Sequence, residues 1–104
     1  MADTKTISVV KSQVEKTISV VFGKESINYF LLSDVLSDEE NNLHTVYGVM
    51  IRHKSLDGET TQEAHDLCCD KSSIMDFIEK LAENMASPDI LPELAEDFVV
   101  RMSL

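Results

Sequence analysis

The stretch "HTVYGVMIRH", residues 44–53, decides the reading of the chain. Tyr47, Val49 and Ile51 alternate with Val46, Gly48 and Met50. Alternation with a period of two, in residues that are β-branched or aromatic, marks a strand with two distinct faces. The following "KSLDGET" (54–60) contains Asp57-Gly58, a strong short-range hairpin signal. A more polar strand over about residues 59–68 should return from it. Upstream, "SDEENN" (37–42) reads as an acidic loop, and "INYFLL" (27–32) as another strand. Its Ile27, Tyr29 and Leu31 share one face, while Asn28, Phe30 and Leu32 share the other. "VFGKES" (21–26) reads as the turn before it, with Gly23 supplying conformational freedom.

The period changes beyond residue 70. Ile74, Phe77, Ile78, Leu81, Ala82 and Met85 fall at i, i+3, i+4, i+7, i+8 and i+11, which is one face of a helix. Asp70, Ser72 and Ser73 are candidate caps for its start. Ser87-Pro88 closes this helix, and Pro92 disfavours helical geometry at Leu91, so a final helix is expected from about residue 92. Leu94, Ala95, Phe98, Val99 and Met102 line its apolar side. Strands followed by helices imply an α+β fold: an antiparallel sheet of four or five strands, with two C-terminal helices packed on one face. The expected core is Tyr47, Val49, Ile51, Ile74, Phe77, Ile78, Leu81, Leu94 and Phe98.

The N-terminal region is ambiguous. "KTISVV" occurs at 5–10 and again at 16–21. As strands, Ile7 and Val9 share one face, and Thr6, Ser8 and Val10 the other. As a helix, Ile7, Val10, Val14, Ile18 and Val21 form a loose stripe, and eleven residues is close to three turns. Thr, Ile, Ser and Val are mediocre helix formers, which favours strands. Two neighbouring strands in similar surroundings would account for the doubled hexamer, as would chance.

The 104 residues suit one small domain spanning 1–104, with disorder an option at the first few positions. The formal net charge is −10. Such a balance argues against nucleic acid and anionic membranes, which attract basic faces. No apolar run approaches the ~20 residues that span a bilayer, and "MADTKT" lacks the basic, apolar start of a signal peptide. A reducing cytoplasm is the resulting expectation, with both cysteines as thiols.

Three constellations merit weighing. His65, Cys68 and Cys69 in "HDLCCDKSSIMDF" (65–77) supply three metal-type ligands, but without the spacing of a closed zinc site. A reactive thiol at Cys68 or Cys69, with His65 as base, is the alternative functional reading. Asp66 and Asp70 oppose it by flanking the pair, and a strand-to-helix junction with structural cysteines is the simpler account. The acids Asp76, Glu79 and Glu83, and Glu93, Glu96 and Asp97, lie opposite the apolar helix faces, as a solvated surface would. Gly23, Gly48 and Gly58 are isolated, so no glycine-rich phosphate loop is present. No catalytic residue, cofactor or metal is therefore expected. The reading is a non-catalytic interaction or regulatory domain that acts through a protein partner or as a homodimer. Phe30, Leu32, Val46 and Met50, on the sheet face away from the helices, are the candidate interface.

"VYGVMIRH" and "MDFIEKLAENMASPDILPELAEDFV" also resemble a family of small clostridial and other Gram-positive bacterial proteins of unknown function. Tyr47, Gly48 and Val49 match its YGI/YGV strand. Ser87, Pro88 and Leu91 match its S-P-x-x-L step. Glu96, Asp97 and Phe98 match its closing helix. The resemblance covers about residues 44–102 and implies a bacterial cytoplasmic origin, but no activity.

Overall fold

The computed structural model describes residues 8–104. Four strands form an antiparallel meander in chain order: β1 (Ser8–Phe22), β2 (Glu25–Ser37), β3 (Leu43–Ser55) and β4 (Gly58–Cys68). Two helices follow, α1 (Lys71–Glu83) and α2 (Leu91–Met102), joined through a 3-10 turn at Pro88–Ile90. This is the α+β architecture expected from the change of period.

The turns follow local chemistry. Gly23, at φ 60°, makes the β1–β2 turn with Lys24. In the β3–β4 hairpin the turn residues are Leu56 and Asp57, one position earlier than Asp-Gly suggests, and Gly58 opens β4 at φ 136°. Asp70 caps α1 by accepting from the Ser73 amide at 3.1 Å. Beyond the end of α1, Met85 adopts φ 50°, and the Met85 amide bonds Ala82 O while the Ala86 amide bonds Leu81 O. Leu91 is helical although it precedes Pro92, so α2 starts a residue early. Its side chain is 1% exposed, and that burial outweighs the local preference.

β1 is one continuous strand, which corrects the reading of the doubled hexamer as two neighbouring strands. Ser8–Val10 of the first copy and Lys16–Val21 of the second lie in the same element. Lys5, Thr6 and Ile7, and the question of disorder at the start of the chain, lie outside the described residues. The two copies also meet different surroundings. Val20 pairs with Ile27 and packs against the core, whereas Val9 pairs with Leu36 and is exposed. An eleven-residue repeat crossed by two bulges puts equivalent residues on opposite faces, because the strand period is two.

The core lies between the sheet and the helices. Ile27, Tyr29 and Leu31 from β2 and Val49 and Ile51 from β3 meet Ile74, Phe77, Ile78 and Leu81 from α1 and Leu91, Ala95 and Phe98 from α2. Phe77 and Phe98 stack with centroids 4.6 Å apart, tying the two helices together. Tyr47 and Leu94, expected in the core, pack against its edge and are half-buried. Val99 and Met102, expected on the apolar side of α2, remain 38% and 44% exposed, since α2 packs chiefly over β4 at one margin of the sheet. Tyr29 is fully buried, and its hydroxyl donates to Ala86 O at 2.8 Å. That bond anchors the end of α1 to the centre of the sheet. Burial pushes the Tyr29 pKa up to about 12.

A second polar tie lies at the start of α1. Glu15 stands at a bulge in β1, between Val14 and Lys16. Its carboxylate is held by Ser33, by Lys71 of α1 at 3.1 Å and by Gln13 at 3.1 Å, and its pKa falls to about 2.

Strand length sets the exposed surface. A thirteen-residue helix spans ~20 Å, whereas a thirteen-residue strand spans ~43 Å. The helices thus cover only part of the sheet, and the molecule measures 55 × 30 × 24 Å. Among the described residues, no second layer covers the sheet face turned away from α1 and α2.

Candidate functional site

Alternation along the registered strands places Ser12, Val14, Leu32, Asp34, Leu36, Val46, Gly48 and Met50 on the open face. Glu63 and His65 join them from β4. Together they shape a hollow of 340 Å³ lined by Ser12, Val14, Leu32, Asp34, Met50 and His65 among others.

A bulge in β4 creates the polar half of this site. Val49 pairs with Ala64 and Tyr47 with Cys68, so His65, Asp66 and Leu67 all stand opposite the single residue Gly48. Asp66 takes φ 55° to make the bend. The bulge leans directly on Gly48, where a Cβ would lie 2.3 Å from Ala64 O and 2.9 Å from His65 Cα. Only glycine lets the β4 backbone approach so closely. His65 is thereby carried across β3 to reach β2. Its Nδ1 lies 3.1 Å from Asp34 Oδ2, and its Nε2 lies 2.8 Å from Glu63 Oε1. The Ser12 hydroxyl donates to Asp34 Oδ1 at 2.6 Å. Four side chains from three strands form one chain of hydrogen bonds.

The electrostatics follow from that order. The bond to Glu63 raises the His65 pKa above its ordinary value, with burial opposing and Asp34 adding to the rise. Asp34 is lowered, first by Ser12 and then by His65. An imidazolium satisfies both carboxylates, because only the charged ring donates from both nitrogens. Ser12 donates to Asp34 and not to His65, so the ring is not placed to take the serine proton, as a nucleophilic Ser/His pair requires.

The residues picked out from the sequence fall as follows. Phe30, Leu32, Val46 and Met50 all lie on the open face, but two of them are already covered by neighbouring side chains. Leu32 is 8% and Val46 6% exposed, whereas Phe30 and Met50 are half-buried. The Arg52 guanidinium stands 5.3 Å from the Phe30 ring centroid. Val9 and Val14, which were not picked out, are strongly exposed on this face. The polar chain was also missed. Gly48 was its one visible signal, since an isolated glycine within a strand marks a close backbone approach.

His65 and the cysteines are not brought together. His65 faces the open side, whereas Cys68 packs against the core on the helix side, and Cys69 is exposed. Burial pushes the Cys68 thiol up, and its Sγ donates to Asp70 O at 3.3 Å. His44 and His53 sit apart on their own carboxylates, Asp38 at 3.3 Å and Glu25 at 2.7 Å. Among the described residues, no group of three or more His, Cys, Asp or Glu is arranged to hold a metal ion. The helix acids Asp76, Glu79, Glu83, Glu93, Glu96 and Asp97 are all exposed.

With this geometry in view, comparison with known proteins shows that residues 4–101 match the model of a family of unknown function, DUF6514. The chain belongs to that family. The match takes in both copies of the doubled hexamer, which lie outside the 44–102 resemblance read from the sequence. No curated protein and no solved structure matches the chain.

Proposed function

We propose that this member of the DUF6514 family is a non-catalytic interaction domain that self-associates through the open face of its sheet. One observation carries the reading: in a chain of net charge −10, this uncovered face is balanced in charge and studded with apolar groups. Its acids are Asp34, Glu59 and Glu63, with Asp38 at one end; its bases are Arg52, Lys54 and, when protonated, His65 and the His44 that pairs with Asp38. Val9, Val14, Phe30, Leu36 and Met50 surround them. A second copy is the occupant that this balance suits best. A neutral face lets two strongly acidic molecules meet where their repulsion is least, and a two-fold contact needs only one such patch.

No helix among the described residues is long and apolar enough to cross a membrane. Two free cysteines accord with a reducing bacterial cytoplasm, which is part of the same proposal. Sedimentation across a range of concentrations tests it. The expected result is a concentration-dependent dimer that Met50→Glu and Phe30→Glu abolish without unfolding the chain. A strict monomer at every concentration, or a dimer indifferent to both changes, would retire self-association through this face.

A further inference from the structure

The opposite side of the molecule carries a different opening. A hollow of 310 Å³ lies between α1 and α2, floored by Phe77, Leu81 and Ala86 and flanked by Ile90 and Leu94. Among the described residues, its charged lining residues are Lys80 and Arg101. The same two side chains, with Phe77 and the acid Asp76, also line an adjoining hollow of 220 Å³. Two cations therefore border a largely apolar cleft in a protein where acids outnumber bases 19 to 9. Asp97 pairs with Arg101 at 3.4 Å, but that pair is exposed and holds the guanidinium only weakly. Lys80 makes no ion pair among the described residues.

We infer that the α1–α2 cleft binds an aliphatic carboxylate, its head between Lys80 and Arg101 and its tail against Phe77, Leu81, Ile90 and Leu94. The volume lies at the lower end of the ~300–1,000 Å³ typical of small-molecule sites, which selects a tail of medium length. The lining supplies the other half of the argument. Apolar walls take a hydrocarbon, and paired cations at one end fix the orientation of an anion. This site is independent of the open sheet face, so either proposal can fail alone.

The probe is decanoate, followed by amide chemical shifts on the full chain, with decanol as the uncharged control. Saturable shifts should map to Lys80, Leu94 and Arg101, and decanol should bind about tenfold more weakly. The double change Lys80→Ala and Arg101→Ala, both at exposed positions, should weaken decanoate by about the same factor and leave decanol unchanged. Ile90→Glu, at the rim, should abolish binding of both while the fold persists. Equal binding of decanoate and decanol, insensitivity to the double change, shifts confined to the sheet, or no saturable binding would each overturn the assignment.

Discussion

Single residues here act mainly through what they let the backbone do or what charge they hold. Gly48 is the sharper case. Gly48→Ala drives a methyl group into the β4 backbone, which must move because a carbonyl oxygen is not a flexible end. We expect a loss of about 1–3 kcal/mol, read from the denaturant midpoint. The same change should withdraw His65 from Asp34, so its titration, followed by NMR, should fall back toward the ordinary histidine value. An unchanged titration would mean that the bulge does not depend on the glycine. Glu15 works through charge. Its folded pKa of about 2 lies below its ordinary 4.5, so its contribution is complete above pH 4.5 and is lost as pH falls toward 2. Glu15→Gln should lower stability at neutral pH and flatten the acid limb between pH 4.5 and 2. Asp34, Asp38 and Asp70, also lowered, keep the remaining slope. If wild type and variant lose stability in parallel over that window, the Glu15–Ser33–Lys71 tie contributes nothing to folding.

At the scale of elements, the end of α1 and the helix contact can be tested separately. Met85 holds a left-handed conformation that costs a side chain energy and costs glycine none. Its side chain is 44% exposed, so little packing is lost on removal. Met85→Gly should therefore stabilise the protein by about 0.5–1 kcal/mol, seen as a rise of several degrees in thermal midpoint. A fall would show that the methionine contributes packing that outweighs its strain. The stacked Phe77 and Phe98 join α1 to α2 beneath the cleft. Replacing either with Ala should cost about 3–5 kcal/mol, a large share of a small domain's stability, by calorimetry or denaturant melting. Losses under 1 kcal/mol would mean that the helices are held by the sheet alone.

For the whole molecule, charge distribution predicts a pH response. The groups facing His65 are Asp34 from β2 and Glu63 from its own strand, with Ser12 behind Asp34. While His65 is protonated, the open face is balanced. As pH rises past its elevated pKa, each copy gains one negative charge there, so a dimer gains two. Self-association should weaken on the alkaline side of that titration, and His65→Gln should diminish the pH dependence, with His44 beside Asp38 the other imidazole on this face. Sedimentation at two pH values checks it, and association that strengthens with pH would contradict the charge argument.

What the sequence determined by itself is local. Alternation in 44–53 and the 3.6-residue period from Ile74 give the order and type of the elements, because each signal depends on neighbours within one turn or a few residues of strand. The same periodicity placed Ile51, Ile74 and Phe98 in the core, and the cap at Asp70 was readable from three positions. What only the tertiary structure decided depends on register and bulges. An extra residue at Glu15 and two more around Asp66 change which side chains meet, and no local pattern encodes them. Hence Leu32 and Val46 became covered, His65 parted from Cys68, Ser12 met Asp34 across 22 positions of sequence, and Asp34 met His65 across 31. The length of β1 belongs here too. Over the described residues the two copies of the hexamer share one strand, because β1 from Ser8 to Phe22 pairs along the whole of β2 and no local pattern sets that length.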